Sequence, residues 1–179
     1  MEMLAGTSGY SYKEWLDSFY PEKLPAKEML RYYARHFPTV EINNTFYRMP
    51  AESMLAGWVN EVPASFRFTL KAPQRITHQK RLREAEQEVG EFLRRAAVLG
   101  DQLGVVLFQL PPFLRKDLPR LRDFLALLPS DRRAAFEFRH ESWQDDEVYA
   151  ALRERGVALC VADTDEGDTP FVCTAGSGY

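Results

Sequence analysis

Short apolar runs alternate along this chain with longer runs of helical period. The strand-like runs are Met3–Ser8, Thr39–Asn43, Phe66–Ala72, Gly104–Leu110, Ala134–Arg139 and Val157–Asp163, followed by a shorter seventh at Phe171–Thr174. Between them the apolar spacing predicts helices. Pro25–Phe37 places Met29, Leu30, Tyr33 and Phe37 on one face, and Ala51–Glu61 does the same with Met54, Leu55 and Trp58. Glu84–Leu99 uses Ala85, Val89, Phe92, Leu93 and Ala96. Asp117 reads as the N-cap of a helix carrying Leu118, Leu121, Leu125 and Leu128. Asp146–Arg155 opens with acids, closes with arginines and stops at Gly156, as the helix dipole and the left-handed C-cap favour. Strand following helix in this order predicts an α/β protein with a parallel sheet. Right-handed crossovers set consecutive strands side by side, in either a doubly wound sheet or a (β/α) barrel. The phosphate loops of many doubly wound folds are missing, because Gly6-Thr7-Ser8-Gly9 has neither the dinucleotide nor the Walker spacing.

Alternation then sorts the strand residues by face. If the large apolar residues turn toward the helices, the other face holds Glu41, Asn43, Lys71, Gln109, Glu137, Arg139 and Asp163. All fall at or near the C-terminal ends of their strands, where α/β enzymes build their sites. Any one of them is explained as a polar group satisfied at a strand end. Seven on five strands, on one face and at one end, predict a polar pocket, because burying so many ionisable groups without a task is costly.

The loops after the strands add aromatic rings: Tyr10, Tyr12 and Trp15, then Phe46 and Tyr47, then Trp143. They either form an aromatic rim for a sugar, base or other flat polar ligand, or pack the loops down. Cations gather in the same loops, at Lys71, Arg75, His78, Lys80 and Arg81, and again at Arg139 and His140. Arginine matches a phosphate or carboxylate with two parallel hydrogen bonds, and lysine serves as a movable charge. The stretch Lys80–Arg95 alternates in sign and reads instead as a solvated helix face, with Glu91–Arg95 as an i, i+4 pair.

Composition narrows the classes. The chain has 45% hydrophobic and 27% charged residues and a formal charge of -3, which is ordinary for a globular protein. That acidic balance argues against a general duplex nucleic-acid binder. Cys160 and Cys173 provide neither a disulfide framework nor zinc spacing, which fits a reducing, cytoplasmic compartment. No signal peptide is expected from the first residues, and no run approaches the ~20 apolar residues of a membrane span.

The strand-end segments resemble the YecE-like family, domain of unknown function 72. They are Gly6-Thr7-Ser8-Gly9-Tyr10-Ser11-Tyr12 with Trp15 and Phe19-Tyr20-Pro21; Val40-Glu41-Ile42-Asn43-Asn44-Thr45-Phe46-Tyr47; and Phe66-Arg67-Phe68-Thr69-Leu70-Lys71-Ala72-Pro73 with Thr77-His78. Leu107-Phe108-Gln109-Leu110-Pro111-Pro112, Phe136-Glu137-Phe138-Arg139-His140 with Ser142-Trp143, and Ala162-Asp163-Thr164 follow in family order. The resemblance implies a TIM-type barrel with a pocket at its C-terminal mouth, and no established reaction. Its signature positions fall on Tyr10, Glu41, Asn43, Tyr47, Lys71, Gln109, Glu137, Arg139, His140, Trp143 and Asp163. The family pattern continues beyond Asp163 into a strand with an arginine motif and further elements, which this chain does not reach.

Three functions compete. In an enzyme, Glu41, Glu137 and Asp163 are acid/base candidates and Lys71 a base, electrophile or charge stabiliser. Tyr10, Asn43, Tyr47, His78, Gln109, Arg139, His140 and Trp143 would then bind the substrate, an anionic sugar- or nucleotide-like small molecule. Hydrolase, lyase or isomerase chemistry fits better than redox chemistry, since no redox-cofactor motif is present, and the cofactor is left open. No metal site is expected: Asp163–Asp168 looks calcium-like, but its glycine is misplaced for an EF-hand and the closing Glu is missing. Ser8 and Ser142 lack a nucleophile elbow. A non-catalytic module is the second reading, with Lys71–Arg83 and the aromatics as a footprint for nucleic acid or a small anion. In the third, an incomplete barrel is inactive alone and is completed by another chain, its open sheet edges inviting self-association.

Strand starts recur about every 31 residues between positions 3 and 157, whereas eight such units take roughly 250 residues. The expectation is therefore an incomplete TIM-type (β/α) barrel of about six βα units, a single domain over 1–179 without its last strands and helices.

Overall fold

The computed structural model describes residues 3–164 and 167–179. Six strands form one sheet: β1 (Gly6–Ser8), β2 (Thr39–Ile42), β3 (Arg67–Lys71), β4 (Leu103–Gln109), β5 (Ala134–Glu137) and β6 (Ala158–Leu159). Their spatial order is the chain order, and every neighbouring pair is parallel. A doubly wound sheet reverses its strand order at a switch point. This α/β sheet does not reverse, and steps in one direction as a (β/α) barrel does.

Helices α1 (Met29–Tyr33), α2 (Asn44–Tyr47), α3 (Glu52–Glu61), α4 (Glu86–Ala96), α5 (Leu118–Ala126) and α6 (Asp146–Glu154) fill the crossovers. Their ends follow local chemistry. The Asp117 carboxylate accepts the Arg120 N–H at 3.1 Å and caps α5, and Asp145 accepts the Glu147 N–H at 2.9 Å ahead of α6. Gly156 ends α6 with φ at +62°, where a side chain would be strained. The Pro25–Phe37 segment is less regular than its pattern suggests. Ala26–Glu28 is a 3-10 turn and α1 stops at Tyr33. Phe37 precedes Pro38, whose ring disfavours a helical neighbour.

The two sheet faces differ sharply. The face toward the helices carries Val40, Ile42, Phe66, Phe68, Leu70, Val106, Phe108 and Phe136, all part of the main core. Aromatic contacts knit it together, such as Phe108 stacked on Phe136 at 5.3 Å. The opposite face has a smaller apolar floor of Leu107, Ala135, Ala158 and Cys160, with Val105, Ala175 and Tyr179 against it. Above that floor, toward the strand C-termini, the residues are polar.

The expected sixth strand, Val157–Asp163, divides. Cys160 N–H still donates to the Phe136 carbonyl at 2.8 Å, but Val161 N–H donates to the Tyr179 carbonyl at 3.0 Å. Asp163–Thr164 then forms β7, antiparallel to β8 (Gly167–Asp168), in a separate two-stranded unit. Residues 165 and 166 of the calcium-like run lie outside the described residues. Phe171–Thr174 forms no strand. Buried Thr174 instead accepts Leu159 N–H through Oγ1 and donates to the Val157 carbonyl, both at 2.7 Å, so a side chain takes the place of a ladder beside β6. Among the described residues, no helix is long and apolar enough to cross a membrane.

Candidate functional site

Strand register brings the polar residues together. Ser8 is level with Glu41, Glu41 with Thr69, Lys71 with Leu107, and Gln109 with Glu137. Because side chains alternate, these positions share the face away from the helices.

Glu137 is the best-enclosed carboxylate of this face, 7% exposed. Buried Gln109 donates Nε2–H toward both of its oxygens, at 2.8 Å each, and Arg139 donates Nε–H to Oε1 at 2.8 Å. Such charge-assisted bonds make a buried carboxylate tolerable. Arg139 uses only Nε in this way. Its terminal nitrogens have no protein partner among the described residues, and its side chain is 42% exposed.

Lys71 ends β3 and is half-buried. It makes no ion pair among the described residues; its Nζ lies 5.3 Å from the centroid of the Phe46 ring, in a cation–π contact. Thr45, fully buried in α2, places its hydroxyl 2.7 Å from the Lys71 carbonyl and 3.0 Å from that of Ile42, pinning α2 and Phe46 over the strand end. The same Phe46 ring meets His78 edge-on at 4.9 Å. His78 belongs to a π-helical turn, Arg75–Gln79, and its Nδ1 lies 2.9 Å from the Thr77 hydroxyl. Burial holds the His78 imidazole below its ordinary pKa; the charges of Arg139 and Lys71 push the same way, against the pull of Glu137. His78, Lys71, Arg139 and Glu137 therefore share one electrostatic neighbourhood.

Glu41 anchors a second cluster. Ser8 Oγ donates to Oε1 at 2.7 Å, the Tyr179 hydroxyl donates to Oε2 at 2.6 Å, and Asn43 Nδ2 donates to Ser8 Oγ at 2.7 Å. Burial pushes the Tyr179 hydroxyl above its usual range, and the Glu41 charge adds to the shift, so it remains a donor. Cys160, on the floor, is pushed up to about 12 by burial and by the charges of Glu137 and Glu41, which leaves an inert thiol.

Other expected site residues lie elsewhere. Trp143 is 1% exposed, stacks on Phe138 at 4.7 Å and donates its indole N–H to the Leu114 carbonyl at 2.7 Å. It is a packing residue beneath the loops, not a ligand face. Tyr10 packs against the main core, with the Tyr33 ring 6.2 Å away, and burial pushes its hydroxyl above its ordinary pKa. His140 uses Nδ1 to accept Ser142 N–H at 3.1 Å and so caps the turn Glu141–Trp143. Asp163 is exposed in β7, off the six-stranded sheet. Tyr47 is 72% exposed at the end of α2, edge-on to Phe46 at 5.1 Å.

The cation-rich loop also sorts itself. Glu88 on α4 takes Arg75 at 2.9 Å and Lys80 at 2.7 Å, and its carboxyl is held down to about 2, chiefly by the Lys80 hydrogen bond. Lys80 also donates to the Glu84 carbonyl. Arg81 lies over the Phe113 ring, and Arg83 lies 3.8 Å from Asp117. The i, i+4 pair Glu91–Arg95 is present at 2.7 Å. Among the described residues, no three metal-ligating side chains converge. The sequence pattern did not single out Thr69, Tyr179 or Glu88. Thr69 was legible as an inward position of β3, whereas Tyr179 reaches Glu41 across 138 residues and had no local signal.

Comparison with known proteins identifies the family and the fold. The chain is 35% identical over 141 residues to the UPF0759 protein YecE of Escherichia coli K12, covering 75% of this chain and 52% of YecE. It is 29% identical over 175 residues to the UPF0759 protein YunF of Bacillus subtilis 168, covering 89% of this chain and 62% of YunF. It thus spans little more than half of either relative. A crystal structure of a DUF72 family protein from Thermotoga maritima MSB8 superposes with a TM-score of 0.82 at 30% identity, over 96% of this chain and 70% of that one. One from Enterococcus faecalis V583 shares the fold at a TM-score of 0.76 and 24% identity, over 94% of this chain and 65% of that one. The model of the family described as protein of unknown function DUF72 matches residues 4–179, and the chain belongs to that family.

Proposed function

We propose that the polar face at the strand C-termini is a pocket for a small anionic molecule of sugar or nucleotide type. Lys71, His78 and Arg139 receive the anion, and Glu41 and Glu137 are the groups available for acid/base chemistry of the hydrolase, lyase or isomerase kind. The observation that carries this reading is the state of the cations. Among the described residues Lys71 has no carboxylate partner, and Arg139 keeps its terminal nitrogens open while Nε holds Glu137. A half-buried lysine beside a second cation and a desolvated histidine is unfavourable unless an anion completes the set. Asp163, exposed on β7 in the separate two-stranded unit, is not assigned to this set.

A small ligand is favoured over nucleic acid because the basic stretch is largely neutralised from within: Arg75 and Lys80 pair with Glu88, and Arg83 lies near Asp117. A duplex footprint needs several open cations along a surface. The test is calorimetric titration of the protein with inorganic phosphate, comparing wild type with Lys71→Met and Arg139→Leu. Each variant should bind at least tenfold more weakly. Phosphate affinity unchanged in both removes these residues from an anion site.

A further inference from the structure

Glu41 is the inward carboxylate that no cation meets. Its oxygens are held only by neutral hydroxyls, Ser8 on Oε1 at 2.7 Å and Tyr179 on Oε2 at 2.6 Å, and among the described residues it forms no ion pair. The hydroxyl donors of this cluster are already committed. The Ser8 and Tyr179 protons go to Glu41, and Asn43 Nδ2 gives a proton to Ser8 Oγ at 2.7 Å. The unused capacity is mainly of the accepting kind: the second lone pairs of both Glu41 oxygens and Asn43 Oδ1, which has no partner among the described residues, against one spare N–H on Asn43 Nδ2. Ser8 is exposed, and Glu41 and Asn43 are half-buried, so these acceptors are reachable.

The other end of the face has the reverse character. Lys71 Nζ, the Arg139 terminal nitrogens and the His78 ring offer donors and positive charge. Lys71 lies two residues further along β3 than Thr69, the strand neighbour of Glu41. Strand geometry then separates the two backbone positions by roughly 8 Å, about 6.6 Å along the strand and 4.8 Å across. A ligand bridging this distance presents an anion at one end and several hydrogen-bond donors at the other. Resting on the anion-binding reading of Lys71, His78 and Arg139, we infer that the Ser8–Glu41–Asn43–Tyr179 cluster receives the hydroxyl groups of that ligand, which makes it a monosaccharide phosphate.

Several acceptors, on β2 and on Asn43 just past its end, suit a row of hydroxyls better than a single ammonium. They suit a nucleobase less, whose edges carry acceptors as well as donors. An aromatic wall stands at the same end. Gly9 has φ at +91°, and a Cβ there would collide with the Tyr12 ring, whose hydroxyl donates to the Ser8 carbonyl. This turn holds an exposed ring against the end of β1, a surface suited to the C–H face of a sugar.

Calorimetry on the full chain tests the assignment with inorganic phosphate, glycerol 3-phosphate, ribose 5-phosphate, glucose 6-phosphate, glucosamine 6-phosphate and adenosine monophosphate as probes. At least one of the two sugar phosphates, ribose 5-phosphate or glucose 6-phosphate, should bind tenfold or more tightly than phosphate itself. Glu41→Gln should reduce that advantage to under threefold without weakening phosphate itself, and Tyr179→Phe should reduce it about threefold. Asn43→Ala should lower it as well, so the test stands even where Glu41→Gln fails to fold. Sugar phosphates that bind no better than phosphate overturn the inference. So does an advantage that survives all three substitutions, or a tenfold preference for glucosamine 6-phosphate or adenosine monophosphate over the sugar phosphates. Phosphate binding that is absent, or indifferent to Lys71→Met, defeats the anion reading instead, and the inference with it.

Discussion

Glu88 and Glu137 are both low-exposure carboxylates held by two donor side chains, yet their surroundings serve opposite ends. Glu88 draws in Arg75 and Lys80, the cations flanking the π-helical turn, and neutralises the positive charge there. Glu137 draws in one nitrogen of Arg139 and the amide of Gln109, and leaves Lys71 and the rest of Arg139 open. One carboxylate fastens the loop that carries His78; the other holds Gln109 and one nitrogen of Arg139. A cation is thus available to a ligand only where no carboxylate from another element has reached it first.

Substitutions separate the two roles, beginning with stability. Glu137→Leu leaves Gln109 and Arg139 without their acceptor in the interior and should cost about 3 kcal/mol in chemical denaturation. Glu88→Gln removes a pair nearer the surface and should cost about 1 kcal/mol. Equal costs would erase the distinction. Next in size is binding. Lys71→Met should weaken phosphate at least tenfold, whereas Arg75→Leu, whose cation is already paired, should change it less than twofold; calorimetry that finds both alike breaks the contrast.

Acid should expose Glu88 specifically. Its carboxyl lies near 2 in the folded protein against an ordinary 4.5, so the unfolded chain takes up that proton first. The Glu88 contribution is complete above pH 4.5 and is lost as pH falls toward 2. The loss of stability over that window should be shallower in Glu88→Gln, measured by denaturation at several pH values. The smallest effect concerns His78. Its folded pKa lies below the ordinary 6.5, so its contribution is present above that value and declines as pH falls through the folded pKa. A bound anion opposes the Arg139 and Lys71 charges and raises the imidazole pKa. Phosphate also titrates in this range, so the expected sign is comparative: binding near pH 6 should take up more proton, or release less, in wild type than in His78→Asn. Calorimetry in buffers of different ionisation heat measures the difference, and equal proton exchange in the two proteins would separate His78 from the site.

Local patterns were enough for much of the architecture. Period-two alternation marked β1 to β5 within a few residues at each end and placed Glu41, Lys71, Gln109 and Glu137 on the inward face. Asp117 and Gly156 marked helix ends by the chemistry of capping. The failures share one physical cause. Trp143 and Tyr10 resemble ligand rims in sequence, but Trp143 is buried with its indole N–H on the Leu114 carbonyl, and Tyr10 packs against the edge of the main core. Val157–Asp163 has the composition of one long strand, yet β6 ends at Leu159. After Cys160, the next backbone partner comes from Tyr179, not from β5.

The sequence by itself determined the βα alternation, the inward polar face and the family, since each is written in spacing over a few residues or in ordered motifs. The tertiary structure alone decided which charges are neutralised and which stay open. Glu88 reaches Arg75 across 13 residues, Gln109 reaches Glu137 across 28, and Tyr179 reaches Glu41 across 138. Ion pairs and hydrogen bonds act over a few ångströms of space, and separation along the chain says nothing of that distance until the sheet has formed.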